Sequence, residues 1–517
     1  MTKLKNKFIF IIMFSHSCFY SQGNDLKSLM KRAQSSFEAG DYFGAYKIYR
    51  QVLDSDKKNE KAAVNAAACV FKMNYVADSA LFLESSLSSS SLPDAKYYLA
   101  RIHHQQKRFD DAVSMMEAYK KINVRRRSYN NDEADHVLSA CVNAKKFIAM
   151  PKKSLIRNAG EAVNSRWNDE EPVIVTDESA LYFTSKREGS SKNMKDAFGN
   201  FREDIYVSYR KDGKWQKAEN LGDPVNTDGN DACVSLSADG QKMIIYRSSA
   251  DYGSGDLYTT KISDDNKWET PQKIGKEVNS QFIETNACFS RDTNEIYFSS
   301  NRPGGYGGKD IYRVKKLPNG NWAMPFNLGP NVNTLYDDDA PFLHPDGVTL
   351  YFSSKGHDTM GEYDVFKSIS DANGYFSKAE NLGHPINDVG NDIYFVLNAD
   401  AQKGYYSSVK SETYGGSDIY EIDTRFSENE LRVRSGFTSL DGTTGKAKIT
   451  LIDAETKQVN GIYNSNPITG KFILLVNPFK KYKAIVQHDG YKTYTAELEA
   501  MVQEEQSRSL EFNLKKE

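Results

Sequence analysis

The apolar positions of this chain change period twice. From Leu26 to about Phe147 they recur three and four residues apart, and no proline interrupts before Pro93, which predicts packed helices. Between about 154 and 425 the apolar runs shorten and alternate with Gly, Asp and Asn turns, as in Leu181-Tyr-Phe183, Ile296-Tyr-Phe298 and Leu350-Tyr-Phe352, which predicts many short strands. Past 430, the alternating runs Ala447–Ile452 and Tyr482–Gln487, with turns at Asp453–Thr456 and Asp489-Gly490, predict a small sheet domain. A chain of 517 residues exceeds one ordinary core. The expected fold class is therefore multidomain: helices over 25–148 and two β domains over 154–425 and 430–517.

A longer period lies over the helical region. Ala33, Ala67 and Ala100 are 34 and 33 residues apart, as are Ala45, Ser79 and Ala112. Small side chains there let antiparallel helices approach, with Gly40 or Lys107 at the turn and Asn74 in that place in the middle repeat. This pattern resembles the tetratricopeptide repeat, which implies an α-helical solenoid with a concave partner-binding face. A helix around Asp132–Lys146 is expected to cap it. His103 and His104 are adjacent and point apart on a helix, so structural or solvent-facing roles are expected. Arg125, Arg126 and Arg127 read as a solvated end.

The central region repeats about every 54 residues. Each unit opens on an aliphatic-Asn pair (Val163-Asn164, Val225-Asn226, Val278-Asn279, Val332-Asn333, Ile386-Asn387), continues with an aromatic strand, and then reaches Asp204, Asp256, Asp310, Asp364 or Asp418. Four short strands per unit describe a propeller blade. The fifth unit lacks its closing segment, while Ser154–Gly160 resembles the closing segment Ala218–Gly222. An early strand is thus expected to complete the last blade, which removes the free sheet edges. The count is a five-bladed β-propeller; a sixth blade would need a unit that the sequence does not contain. Leu350-Tyr-Phe-Ser-Ser354 and Asn301–Tyr312 resemble the PD40 or WD40-like repeat of TolB-type envelope propellers.

Two propeller features are candidate sites. An acidic or amide residue near the start of each first strand (Glu171, Asp231, Asn286, Asp339, Asp392) could ring the channel mouth and hold a cation, or could bond local backbone and the next blade. Whether a metal sits there is left open, and no cofactor is expected. The Gly-rich loops between second and third strands, the first extended over Lys186–Arg202, form a candidate partner face, with Tyr252, Tyr306 and Tyr414 as its exposed aromatics.

Gly470–Leu475, Tyr482 and His488–Tyr491 resemble the carboxypeptidase regulatory-like domain, which implies a seven-stranded, transthyretin-like β-sandwich and no peptidase. The order of the three domains resembles the OmpA-family envelope proteins associated with type IX secretion and gliding. That resemblance implies a non-catalytic periplasmic scaffold at the outer membrane, whose partners are secretion or motility components. In those relatives an OmpA-like domain follows the sandwich; here the chain ends at Glu517 without one, which puts direct peptidoglycan contact in question.

Composition and chemistry narrow the choice. Lys plus Arg (67) nearly balances Asp plus Glu (69), so no basic excess points to nucleic acid. Lys3, Lys5 and Lys7 precede the apolar run Phe8–Phe14, which is too short to span a bilayer and reads as a signal peptide over 1–22. Cys18 is a candidate lipidation site, although Ser15 stands where a lipobox places Leu. Cys69, Cys141, Cys233 and Cys288 sit among apolar neighbours at spacings of neither a disulfide framework nor a zinc site. No HExxH, G-x-S-x-G or phosphate-cradling Gly loop is present. The rival class is a glycan- or muropeptide-binding receptor that uses the loop tyrosines.

Overall fold

The computed structural model describes residues 26–517 apart from 74–76, 176–177, 196–200, 238–239, 249–254, 266, 400, 411, 425–431, 477–479 and 499–508. The segment 1–22 with Cys18, the turn residue Asn74 and the loop residue Tyr252 lie outside the described residues. The chain divides into two compact units, 1–98 and 99–517.

In the first unit, α1 (Leu26–Glu38), α2 (Tyr42–Ser55), α3 (Glu60–Lys72) and α4 (Ala77–Ser88) pack each against the next. Gly40 closes the α1–α2 turn at φ 83°, a left-handed conformation that costs glycine nothing. The Asp41 carboxylate then caps α2 by accepting from Gly44 N at 2.7 Å, and Asn59 caps α3 by accepting from Ala62 N at 3.1 Å. Ala33, Ala45 and Ala67, the period-setting residues, are buried. Tyr49 is buried with them and accepts from Asn65 Nδ2 at 3.1 Å. Helix α5 (Pro93–Gln105) starts on a proline, whose missing N–H costs nothing at a helix start. It ends in the second unit, where Lys107 (φ 59°) makes the turn to α6 (Phe109–Lys120), and α7 (Asn131–Ala149) follows. Arg125 and Arg126 lie exposed in a single 3₁₀ turn, while Arg127 lies over the Tyr119 ring at 5.0 Å.

Five antiparallel sheets follow. Blade one is Asp169–Ile174, Ala180–Ser185 and Asp204–Lys211 with the short edge strands Lys214–Trp215 and Glu219–Asn220; blade two is Asn230–Leu236, Lys242–Ser248, Gly255–Lys261 and Gln272–Lys273. Blade three is Glu284–Phe289, Glu295–Ser300, Asp310–Lys315 and Phe326–Asn327; blade four is Asp338–Leu343, Thr349–Ser354, Asp364–Ile369 and Glu380–Asn381. Blade five is Asp392–Leu397, Lys403–Ser408 and Asp418–Asp423, and its outer strand is Leu155–Asn158, paired antiparallel from Leu155↔Asp423 to Asn158↔Tyr420. The first strands of successive blades are neighbours, and that of blade five neighbours that of blade one. The sheets therefore close into a propeller ring with an early strand as its seam.

The aliphatic-Asn pairs hold each blade to the turn that follows it. Asn226 accepts from Ile205 N at 2.9 Å and donates to Ile205 O at 2.9 Å, imitating a strand partner. Asn279, Asn333 and Asn387 do the same to Leu257, Ile311 and Val365. Asn164 makes both bonds to Ile419, across 255 residues of sequence instead of 21 or 22, and so fastens the seam. All five amides are buried, where an unpaired backbone group would be costly.

The described residues of 432–517 form two four-stranded sheets. Arg432–Leu440 pairs with Thr443–Thr444, Lys471–Val476 and, in parallel, Leu510–Leu514; the second sheet runs Val459–Asn464, Lys448–Asp453, Tyr482–Gln487, Tyr494–Leu498. This is one strand more than the seven-stranded resemblance implies, the extra one being the two-residue Thr443–Thr444. Alternate residues Ile449, Leu451, Ala484 and Val486 of one sheet and Phe472, Leu474 and Phe512 of the other share one core.

Candidate functional site: the propeller axis and its loop face

All five first strands line a narrow axial cavity of about 60 Å³, contributed to by Glu171, Asn286, Ala340, Phe342 and Tyr394. The five acidic and amide residues singled out in the sequence do not occupy equivalent places around it. Asp231 and Asp392 belong instead to a buried set with Asp169, Glu284 and Asp338. Each of these accepts a backbone N–H from the residue four before it: Ser165 (2.6 Å), Thr227 (2.6 Å), Ser280 (2.9 Å), Thr334 (2.5 Å) and Asp388 (2.6 Å). Asp231 and Asp392 are thus local turn clamps. The Ser/Thr/Asp-x-x-x-acid spacing that marks this set was present in the sequence and missed.

A cation backs four of the clamps: Arg187 on Asp169, Arg247 on Asp231 at 2.5 Å, Arg302 on Glu284 at 3.1 Å and Lys410 on Asp392 at 3.5 Å. In blade four the place of Arg302 and Lys410 falls to Gly356, and neighbouring His357 takes over the carbonyl contact, with Nε2 2.8 Å from Val332 O. Burial without a cation pushes the Asp338 carboxyl up to about 7.

The other three residues do gather near the axis. Asn286 Nδ2 donates to Asp339 Oδ1 at 3.1 Å, and Lys309 pairs with Asp339. Burial raises the Asp339 carboxyl, but Lys309 outweighs it and holds the group below its ordinary range. Glu171 accepts from Thr184 Oγ1 at 2.6 Å, and burial drives it well above the usual carboxylate range. Among the described residues, no three His, Cys, Asp or Glu side chains converge as a metal site. The four described cysteines are buried and free, and burial pushes the Cys69, Cys141 and Cys288 thiols up to about 12.

The loops between second and third strands of blades three, four and five share one construction. Tyr306, Met360 and Tyr414 each donate their backbone N–H to the aspartate four residues on (Asp310, Asp364, Asp418) at 2.7–2.8 Å. The next residue is glycine each time, because a Cβ on Gly307, Gly361 or Gly415 would come within 2.3–2.6 Å of backbone in the following turn, at Leu335, Asp388 or Arg166. Each loop is thus held against the following turn, and the two carry the paired positions of one seat between neighbouring blades: Tyr306 and Leu335, Met360 and Val389, Tyr414 and Arg166.

These seats differ sharply in exposure. Tyr306, Leu335 and Tyr414 are 46%, 78% and 44% exposed, whereas Met360 and Val389 are 0% and 6%. What covers the second seat is the chain's own helices: Met360 and Val389 pack with Ala144, Phe109, Phe147 and Ile148. Around that core, Asn143 Nδ2 donates to Thr359 O at 2.9 Å and Gln105 Nε2 to Val389 O at 2.7 Å. Arg101 pairs with Glu362, and Lys107 with Asp388 at 2.8 Å. Burial alone would raise Glu362, yet Arg101 and Lys355 hold it below its ordinary range. His104 places Nε2 3.0 Å from Met360 O, so its neutral ring carries the proton there, and burial lowers its pKa to about 4. His103 is also buried. The blade-four loop is therefore an internal docking site, a role the sequence reading did not assign to either partner.

No family model matches the chain, and no curated protein matches it in sequence. Its structure is similar to TolB from Acinetobacter baumannii (16% identity over 59% of this chain and 72% of that one, TM-score 0.32). It is also similar to an endo-arabinase from Bacteroides thetaiotaomicron (13%, 54% and 100%, 0.35) and an α-L-arabinofuranosidase from Lactobacillus brevis (12%, 49% and 90%, 0.34). The propeller assignment rests on the closed cycle of sheets described above.

Proposed function

We propose that this chain is a non-catalytic scaffold that holds protein partners together at the cell envelope, as part of an outer-membrane secretion or motility assembly. In this reading the helices are a tetratricopeptide-type solenoid, the ring is a PD40-type propeller, and the carboxyl-terminal domain is a regulatory-like sandwich. The observation that carries it is the blade-four seat. The loop face of this propeller already binds protein helices, through a buried methionine ringed by backbone hydrogen bonds and ion pairs. Titratable groups at the axis and clamps are engaged with one another or with local backbone, an arrangement that serves rigidity more than proton transfer. The envelope placement rests on the leader-like segment and on the resemblance in domain order.

The test is a cross-linked pull-down of the tagged full chain from its native envelope, read by mass spectrometry. Recovery of outer-membrane secretion or motility proteins is expected. Recovery of cell-wall fragments or glycans without protein partners would overturn the reading and make the propeller a ligand receptor.

A further inference from the structure

Among the described residues three seats of one construction stand on the loop face, and the one between blades four and five is filled. We propose that the Tyr306–Leu335 seat, between blades three and four, receives an amphipathic helix of a protein partner, laid beside α7. The proposal rests on the scaffold reading and names its contact.

Internal repetition gives the occupant's class. Met360 and Val389 stand at the positions of Tyr306 and Leu335, on backbone held by the same aspartate bond and the same close glycine approach. Their occupant is the paired surface of α6 and α7, whose Phe109, Ala144, Phe147 and Ile148 close over them. At these matching positions an exposed tyrosine and an exposed leucine offer apolar surface without that cover.

Continuity supports the same placement. Tyr336, the neighbour of Leu335, already stacks under His136 of α7 with ring centroids 4.0 Å apart. The existing helix–propeller contact thus runs up to the edge of the open seat and stops there. A helix lying on Leu335 would extend it.

Charge specifies the face. The filled seat carries Glu362 and Asp388, answered by Arg101 and Lys107. At the corresponding places the open seat has Gly308 and Thr334. The Asp337 carboxylate that lies against Gly308 is already answered within the propeller, by Lys355 at 3.7 Å, so the partner helix needs no basic residue there. The third seat differs in kind: Arg166 replaces the aliphatic residue, lying over Trp167 at 4.2 Å and pairing with Glu188 at 3.6 Å.

A photo-crosslinking residue placed at Leu335 of the full chain, in its native envelope, tests this when the cross-linked peptides are sequenced. The same residue at Val389 is the control, expected to capture this chain's own α6 and α7. At Leu335 the expected result is one partner, joined at positions three, four or seven apart on a helical segment. Tyr306→Ala should lower that yield about tenfold or more, as loss of an aromatic anchor does. Cross-links to an extended segment, to glycan or to this chain alone overturn the proposal; so does silence at Leu335 while Val389 reports. A pull-down with Leu335→Glu separates the two readings. If it still recovers the partners that the unaltered chain recovers, the seat falls and the scaffold stands. If the unaltered chain recovers no protein, the scaffold reading itself falls.

Discussion

The loops of blades three and four are built on the same backbone and meet opposite fates. Both hold a loop N–H on the next aspartate and both press a glycine against the following turn. Yet Met360 is sealed beneath α6 and α7, while Tyr306 faces solvent. A few side chains account for the difference. Methionine fills an irregular gap between helices without requiring a partner for a hydroxyl. Glu362 and Asp388 supply acids where blade three has Gly308 and Thr334, and these acids hold Arg101 and Lys107. The repeat thus provides interchangeable seats, and local substitutions decide which of them the chain uses itself.

The sharpest way to break the comparison is Met360→Lys. A cation with no partner, buried against Ala144 and Phe147, should cost about 3–5 kcal/mol of docking. Hydrogen exchange should then rise across 99–149 while the blades stay protected. Tyr306→Lys at the matching exposed position should change stability by no more than about 0.5 kcal/mol.

Blade four and the helices docked on it should show a pH response with two opposed slopes. The Asp338 carboxyl is raised to about 7 in the fold, so the folded state holds the proton more tightly than the unfolded chain. Stability should accordingly fall as pH rises from about 4 to 7, by an amount of the order of 4 kcal/mol. His104 is lowered to about 4, so its contribution is complete above about pH 6.5 and is lost as pH falls towards 4, again of the order of 3 kcal/mol. Thermal unfolding against pH should show a shallower first slope in Asp338→Asn, the remainder coming from Asp418 of blade five, which burial also raises to about 7. Hydrogen exchange of α6 and α7 should lose the second in His104→Gln.

Smaller effects sharpen the contrast. Arg101→Met leaves Glu362 half-buried without its cation and should cost about 1–3 kcal/mol by thermal unfolding, much of it recovered in the double variant with Glu362→Gln. Lys107→Met removes a more exposed pair with Asp388 and should cost less than about 1 kcal/mol.

Much of this architecture could be read from repetition. The five aliphatic-Asn pairs and the displaced closing strand were visible, because a repeat that must meet its neighbours in one way keeps the residues that do so. Gly40 and Lys107 were marked as turns, and both take left-handed φ. The purpose of those asparagines was not legible, since bonding to a strand 21 or 22 residues earlier, or 255 later, leaves no local signature. The proposed acidic ring mixed two sets for a related reason. Neighbouring acids such as Asp338 and Asp339 serve a turn clamp and the axis respectively, and adjacency in sequence hides which one faces where. The docking of α5–α7 was invisible because His104, Asn143 and Met360 are far apart in the chain and unremarkable singly.

The seam of the ring has a consequence for how the molecule comes into being. Leu155–Asn158 precedes every blade in the chain, whereas its partner Asp418–Asp423 is the last strand of the ring. A chain that emerges from its amino end therefore holds that strand unpaired until the roughly 260 residues between the two have followed it. Over this interval the growing propeller is an open arc with two sticky margins. The short length of the seam strand, four residues, keeps the earlier margin a weak template for neighbouring chains until the ring can shut.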